Sequence, residues 1–172
     1  VGSEMCIRDS LEDVDSIALV EDFPDICEGG SFPVDANAGQ NIKDLIKELE
    51  GPEFRKLLEE KFKVELKNKP AVTTLRGYSR LKDGKIHTDS SSKTVTVLLY
   101  LNLNWNENEG HLRLLKDSKD LNSYIEEVPC TFGSMVGFKV TENCWHGFQP
   151  YEGKRLSLQL NYISSQSLGL HN

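Results

Sequence analysis

The sequence has no long apolar run and no paired cysteines. No hydrophobic stretch approaches the roughly 20 residues that a membrane helix requires, and no basic segment followed by an apolar one marks a secretory signal. The four cysteines form no Cys-x-x-Cys pair, which argues against a zinc ribbon or a thioredoxin-like site. Scattered cysteines without a signal are typical of a reducing compartment, so we expect a cytoplasmic location and no membrane partner.

A stripe of Lys and Arg residues is also missing. The net charge is −7, and basic residues alternate with acidic ones, as in residues 53–61. Proteins that follow a phosphate backbone usually carry a basic face. We therefore expect no nucleic-acid partner, and the sequence leaves the oligomeric state open.

The length and composition indicate one globular domain. The chain has 172 residues, of which 38% are hydrophobic and 27% charged. Residues 1–10 resemble a stretch that recurs as a sequencing artefact at the ends of metagenome-derived reading frames, so we expect a non-native leader. We assign the domain to residues 11–163 and a flexible tail to residues 164–172.

Two helices are predicted after an irregular or edge segment at residues 11–40. The first helix would be capped by Asn41, and its apolar residues fall at helical spacing. These residues are Ile42, Leu45, Ile46 and Leu49. Gly51 is predicted to end this helix and Pro52 to open the next.

The chain after Pro70 changes to short β-rich segments. Residues 116–127 are predicted to form a polar loop or a short helical excursion, and Asp83-Gly84 predicts a tight turn. The predicted strands cover residues 71–78, 94–102, 112–115, 135–140, 144–148 and 155–163. This order predicts an α+β, mainly β protein with a double-stranded β-helix (jelly-roll) core and supporting N-terminal helices.

The last predicted strand alternates strictly between polar and apolar residues. One face is polar (Arg155, Ser157, Gln159 and Asn161), and the other is apolar. Taken alone, this pattern favours a half-buried strand with a solvated polar face. The alternative is that the polar face lines a ligand pocket inside the jelly roll, and residues 94–102 repeat such a mixed pattern.

His87-Thr88-Asp89 is a candidate metal motif. In an extended segment both side chains share a face, and two histidines with one carboxylate form the facial triad of non-heme iron oxygenases. The motif alone is weak, because it also suits a surface turn. The third ligand could be His111, His146 or His171, and the position of His146 nine residues before Arg155 favours it. That spacing predicts a hairpin, with its turn at residues 150–153, whose two strands face one cavity.

These motifs together resemble the prolyl 4-hydroxylase-like branch of the Fe(II)/2-oxoglutarate-dependent oxygenase superfamily, including its short bacterial members. The resemblance covers roughly residues 70–163. It rests on His87-Thr88-Asp89, Tyr100-Leu101-Asn102, His146 and Arg155-Leu156-Ser157.

The resemblance implies a role for each of these residues. The implied Fe(II) ligands are His87, Asp89 and His146. Arg155 would pair with the far carboxylate of 2-oxoglutarate, Tyr100 would donate a hydrogen bond to it, and Thr96 and Ser157 would make further contacts. The implied cofactors are Fe(2+), 2-oxoglutarate and O2, and L-ascorbate is a candidate reductant.

The implied reaction hydroxylates an unactivated C–H bond and releases succinate and CO2. The substrate would be a small molecule or a peptidyl residue, with proline as a candidate. The carboxylate of Asp89 favours hydroxylation, since related halogenases carry a small residue there. Asn161 stands where the nucleobase-demethylating branch carries a second arginine, which argues against nucleobase repair.

Two other functions remain open at this point. One is a non-catalytic jelly-roll binding module, and the other is a cupin-like metal hydrolase, which would not need Arg155 or Tyr100. The sequence also departs from the resemblance at Glu109-Gly110-His111, where the family often has Gly-Gly. Four cations could line a substrate mouth, although solvated surface charge is the favoured interpretation. They are Arg76, Arg80, Lys93 and Arg113.

Overall fold

A computed structural model describes residues 4–7, 11, 15–35 and 37–164. These residues contain three helices: α1 (Ser16–Glu21), α2 (Gln40–Leu49) and α3 (Pro52–Phe62). They also contain nine strands: β1 (Glu4–Ile7), β2 (Phe32–Pro33), β3 (Ala71–Ser79), β4 (Lys93–Tyr100), β5 (Leu112–Leu115), β6 (Tyr124–Val128), β7 (Met135–Lys139), β8 (His146–Gly147) and β9 (Gly153–Ile163). None of the described helices has the length and apolar character needed to cross a bilayer.

The strands form two antiparallel sheets. The large sheet has the order β1-β7-β4-β9-β3-β2, and the small sheet has the order β6-β5-β8. Apolar residues of both sheets pack together, among them Tyr100 and Phe138 from the large sheet and Leu112 and Leu114 from the small one. The predicted mainly-β jelly-roll core with supporting N-terminal helices is confirmed.

The helices cover the outer face of the large sheet. Ile42 and Leu45 of α2 and Leu58 of α3 join a core that also contains Leu99 of β4 and Leu158 of β9. Because neighbouring residues of a strand point to opposite faces, the even-numbered residues of β4 and the odd-numbered residues of β9 point toward the small sheet. Both central strands are therefore buried on both faces, and the solvated polar face favoured for residues 155–163 is wrong.

The start of α2 differs from the prediction. Gly39 is the N-cap and makes no side-chain cap bond, whereas Asn41 lies in the first turn. The carboxylate of Asp22, 19 residues away, accepts the backbone N–H of Asn41 at 2.7 Å. The predicted cap was wrong because a tertiary contact satisfies this donor. Gly51 and Pro52 take the predicted places, since Gly51 caps α3 and Pro52 opens it.

Two regular elements lie in segments predicted to be irregular. Asp15 caps α1 by accepting the backbone N–H groups of Ile17 and Ala18, each at 3.1 Å. β6 occupies the end of the segment predicted as a polar loop or helical excursion, and it pairs with β5. Its polar composition concealed it, because β6 is an edge strand of the small sheet with one side in solvent.

His146 and Arg155 do not lie on one hairpin. β8 pairs with β5 in the small sheet, whereas β9 pairs with β3 and β4 in the large sheet. The chain between them therefore crosses from one sheet to the other instead of folding back on itself. The predicted hairpin was wrong, although the crossing still places both residues between the sheets.

The predicted leader and tail fall largely outside the residues that the structure describes. Residues 1–3, 8–10 and 165–172, including His171, lie outside the described residues. Residues 4–7 pair along β7 as an edge strand. The non-native leader, the domain limits and the flexible tail stay predictions.

The side chain of Asn102 joins the end of β4 to β9. Its amide donates to the carbonyl of Cys130 at 2.7 Å and to that of Leu156 at 3.1 Å. Its carbonyl accepts the backbone N–H of Leu156 at 2.8 Å. Since Leu156 follows Arg155, these bonds fix the backbone that carries the arginine.

We expect Asn102→Ala to lower the free energy of unfolding by about 2–4 kcal/mol, because it leaves buried backbone groups without partners. Urea denaturation measures this loss. Asn104→Ala, which removes the same side chain at an exposed position, should change stability by about 0.5 kcal/mol or less. Equal effects in the two variants would show that the three bonds do not stabilise the fold.

Candidate functional site

Three candidate metal ligands meet at one edge of the space between the sheets. One ligand atom from each of His87, Asp89 and His146 lies within 4.8 Å of the others. The backbones of the two histidines exchange hydrogen bonds of 3.0 Å in both directions, and their rings lie 4.3 Å apart. This bridge connects the loop before β4 to the small sheet, and so brings together residues 59 positions apart in sequence.

Hydrogen bonds fix which nitrogen of each histidine can bind a metal. Nδ1 of His87 lies 2.8 Å from the carbonyl oxygen of Lys85, and Nδ1 of His146 lies 2.8 Å from that of Cys144. A carbonyl only accepts, so each Nδ1 carries the hydrogen. Nε2 is then the nitrogen of each ring that can bind a metal, and a backbone partner of this kind is common behind metal-binding histidines.

The charges of the three groups suit a cation. Burial, together with the adjacent His87, lowers the pKa of His146 to about 4, so its ring is neutral at neutral pH. Burial opposes ionisation of Asp89, but the Lys93 ammonium at 3.2 Å and a hydrogen bond from the Thr96 hydroxyl hold its pKa below the usual value. Metal ligands must be deprotonated, and the pKa shifts of Asp89 and His146 both favour that state.

The donor set suits non-heme iron. Two imidazoles and one carboxylate on one side of a metal form a facial triad with open positions opposite, which is the arrangement of non-heme Fe(II) oxygenases. A structural zinc site would supply four protein ligands, and the described residues supply three. The residues present therefore fit Fe(II).

Arg155 is a buried cation without an anion. Arg155 is only 7% exposed. Its Nε donates to the Gly110 carbonyl at 3.0 Å, and its Nη2 donates to the Tyr100 hydroxyl at 3.1 Å. The guanidinium carbon lies 4.1 Å from the ring centre of Phe148. No carboxylate among the described residues pairs with it. An uncompensated buried charge is costly, so this site suits an anionic ligand.

Tyr100 and Ser157 add neutral donors beside Arg155. Burial raises the pKa of Tyr100 to about 12 despite the opposing effect of Arg155, so it remains a phenol whose hydrogen is available to a carboxylate. Ser157 is fully buried, and its hydroxyl has no hydrogen-bond partner in the described part of the chain. A carboxylate of 2-oxoglutarate fits this combination of one cation and two hydroxyls.

Thr96 lies beside a metal ligand, whereas its predicted role implies a contact with the cosubstrate. Its hydroxyl contacts the carboxylate of Asp89 and lies 3.1 Å from the side-chain oxygen of Asn161. This places it behind a metal ligand, four residues along β4 from Tyr100. Its cosubstrate contact stays a prediction, and its observed contact supports a role in orienting Asp89.

Sequence reasoning missed two partners of the site. Lys93 was interpreted as a solvated charge, yet its side chain is 14% exposed and pairs with Asp89. The carbonyl of Gly110 orients Arg155, and no sequence signal identifies a backbone acceptor of this kind. His111 is outside the metal cluster, since its Nδ1 accepts the backbone N–H of Cys130 at 3.2 Å.

A separate groove of about 850 Å³ lies on the helix side of the large sheet. Apolar residues of α2, α3 and β4 line it, among them Leu45, Phe54 and Leu99. None of the metal ligands or of the groups around Arg155 borders it. The chemistry of the chain is therefore concentrated between the sheets.

Known structures share this architecture. A Pseudomonas putida prolyl-4-hydroxylase aligns with a TM-score of 0.67 at 17% identity, covering 95% of this chain and 93% of that one. A Trichoplax adhaerens prolyl hydroxylase, solved with a peptide fragment of the hypoxia inducible factor oxygen degradation domain, aligns at 0.68 and 18% identity, covering 100% and 88%. A viral collagen prolyl hydroxylase from Paramecium Bursaria Chlorella virus-1, in its 2-oxoglutarate complex, aligns at 0.65 and 12%, covering 94% and 97%.

The sequence comparisons identify the family. No curated protein sequence matches the chain significantly. The family profile described as the 2OG-Fe(II) oxygenase superfamily matches residues 74–163, just over half of the chain and all of the strands that carry the site. Together with the facial triad, this match shows that the chain belongs to the 2OG-Fe(II) oxygenase superfamily and is a 2-oxoglutarate-dependent non-heme iron dioxygenase.

Proposed function

We propose that His87, Asp89 and His146 bind the Fe(II) of this dioxygenase and that Arg155 binds the far carboxylate of its 2-oxoglutarate. The buried guanidinium without a counter-ion carries the proposal, because it supplies a reason for an anion to enter the same interior as the triad. Tyr100 and Ser157 would share this carboxylate as hydrogen-bond donors.

The protein's part in the reaction is to hold and orient the metal ligands and to exclude water from them. When bound, iron, 2-oxoglutarate and O2 would supply the chemistry that hydroxylates an unactivated C–H bond, with one oxygen atom going to the substrate and the other to succinate as CO2 is released. The Nδ1 bonds orient the two imidazoles, and Thr96 and Lys93 orient Asp89. Phe138, whose ring centre lies 4.8 Å from that of His146, keeps one side of the ligands dry.

The proposed substrate is a peptidyl residue or a small molecule. The Trichoplax enzyme, which shares this fold, was solved with a peptide fragment, and that observation supports a peptidyl prolyl substrate as one candidate. The fold alone does not distinguish this from a small molecule. The cytoplasmic location stays a prediction.

The two other functions have less support. A binding module would have no need to keep two oriented imidazoles, an ionised carboxylate and an unpaired buried arginine within one interior. A cupin-like hydrolase would use the metal ligands but not a carboxylate clamp formed by Arg155 and Tyr100.

The first test titrates Fe(II) and then 2-oxoglutarate into the purified protein without oxygen. We expect a visible charge-transfer band that requires both additions. His146→Ala should abolish it. Arg155→Gln should raise the 2-oxoglutarate concentration needed for half-saturation at least about thirtyfold, corresponding to roughly 2 kcal/mol for a truncated buried charge contact.

Two control variants make this titration specific. His111→Ala removes an imidazole outside the cluster, and Arg80→Gln removes a guanidinium that pairs with Asp83 at a loop. Both should keep the band and the affinity. If the intact protein gives no band while it binds iron, the hydrolase or the binding module becomes the better account.

A second test follows the pKa of His146. In the unfolded chain a histidine titrates near its ordinary value of about 6.5, whereas the folded pKa is about 4. Between these values the unfolded chain binds a proton that the folded protein excludes, so the metal-free protein loses stability as the pH falls through this window. The loss should be at most about 3 kcal/mol.

Urea denaturation in the presence of a chelator, near pH 7 and again near pH 5, measures this loss. His146→Gln should remove most of the difference between the two conditions, and His111→Gln should retain it. The proposed burial of a neutral imidazole is wrong if both variants respond to pH as the intact protein does.

A further inference from the structure

Arg76 shares the inner face of the large sheet with the proposed cosubstrate contacts. It lies opposite Ser157 in the pairing of β3 with β9, and Ser157 lies opposite Tyr100 in the pairing of β9 with β4. Directly opposed residues point to the same face of a sheet. A register shift follows Arg76 at Gly77, where a side chain would collide with the carbonyl of Ile26. Arg76 is thus the last regularly paired residue of the inner face on β3 before this shift.

The guanidinium of Arg76 is half-buried and lacks a partner for its Nε. That nitrogen is inaccessible to solvent and has no hydrogen-bond acceptor among the described residues. Two acids lie near enough to act on it electrostatically, Asp83 and Asp89. Each is already engaged, Asp83 with Arg80 at 3.0 Å and Asp89 with Lys93 at 3.2 Å.

The charges around the site leave positive charge in excess. Burial and the positive charge of Arg155 lower the pKa of Arg76, as expected for a cation without an anion. In the described part of the chain, Arg76, Lys93 and Arg155 place three positive charges around this interior against the one negative charge of Asp89, while the charge of Asp83 is balanced by Arg80. Iron and 2-oxoglutarate carry opposite charges of equal size, so binding them would leave the excess unchanged.

We propose that Arg76 binds a carboxylate of the primary substrate, which makes the preferred substrate a carboxylic acid and not an internal residue of a peptide chain. The inference rests on the proposed function, because it assigns Arg155 to the cosubstrate and leaves Arg76 for the substrate. A guanidinium is suited to this role, since its planar donors match both oxygens of a carboxylate. The acid is either a free small molecule or the carboxyl end of a peptide.

The experiment uses acetate as the probe and Mn(II) as a redox-inert paramagnetic replacement for iron. With 2-oxoglutarate saturating, we expect the intact protein to accelerate the relaxation of the acetate methyl protons in a saturable manner. Arg76→Gln should weaken acetate binding at least about tenfold, as expected when a charge-assisted bond is lost. Acetamide, which carries no charge, should show no saturable effect.

Lys82→Gln is the matched control. It makes the same change in net charge at an exposed position six residues along the chain. Its acetate affinity should stay within about twofold of the intact protein, because an exposed charge is screened by salt. Arg76→Lys keeps the charge without the planar fork and should restore part of the binding lost in Arg76→Gln.

A second pair of probes distinguishes the two sources of the carboxylate. N-acetyl-glycyl-glycine ends in a carboxylate, and its C-terminal amide does not. Binding of acetate alone indicates a free small acid, whereas binding of both acetate and the dipeptide acid indicates a peptide end. The dipeptide amide should not bind in either case.

The charge-transfer titration of the Arg76→Gln protein keeps this inference separate from the proposed function. Its 2-oxoglutarate affinity should stay within about threefold of the intact protein. A loss as large as that of Arg155→Gln would place Arg76 in the cosubstrate site and overturn the inference, as would acetate binding that is absent in the intact protein or unchanged in the variant. A missing band in the intact protein would instead overturn the proposed function, and the inference with it.

The stability of the Arg76→Gln variant distinguishes a binding role of Arg76 from a structural one. Since a half-buried cation without an anion is costly, Arg76→Gln should unfold at the same or a higher urea concentration than the intact protein. A residue that only supports the sheet would destabilise the protein when replaced.

Discussion

The burial of β9 on both of its faces is the constraint on which the rest of the structure depends. Its apolar face meets α2 and α3, and its polar face meets the small sheet. Polar groups buried in this way must find partners, because each unsatisfied group costs free energy. Asn102 fixes the backbone beside Arg155, and the Gly110 carbonyl and Tyr100 fix its guanidinium. Two of the buried groups without a hydrogen-bond partner among the described residues, on Ser157 and Arg76, lie opposite each other on the inner face, and they support the proposed carboxylate contacts.

The same interior separates two kinds of charge. At one end, Asp89 is ionised beside the neutral imidazole of His146, and both are in the state that a divalent cation binds. Toward the other end, Arg155 contacts the Gly110 carbonyl and the Tyr100 hydroxyl, and it pairs with no carboxylate in the part of the chain that the structure describes. A cosubstrate with two carboxylates can connect these ends, one at the metal and one at the guanidinium. In the proposed arrangement, Arg76 is an additional cation that does not pair with the cosubstrate.

Much of the candidate site could be predicted because its chemistry depends on residue types at short spacings. His87 and Asp89 share a motif, and the alternation at residues 155–163 marked an inward polar face once burial was known. The predicted hairpin between His146 and Arg155 was wrong, because strand partners depend on long-range pairing that a local spacing does not encode. β6 was missed for a related reason, since an edge strand carries a weak pattern.

The sequence by itself determined the mainly-β class, the two helices that precede the main run of strands, and the residues able to bind iron and a carboxylate. These follow from periodicity and side-chain chemistry, which are local properties. Only the tertiary structure decided that Asp22 satisfies the start of α2, that Thr96 and Lys93 contact Asp89, and that Nε of Arg76 is buried without an acceptor among the described residues. Each of these depends on which distant groups are near and how far water is excluded, and both quantities exist only once the sheets have closed on one another.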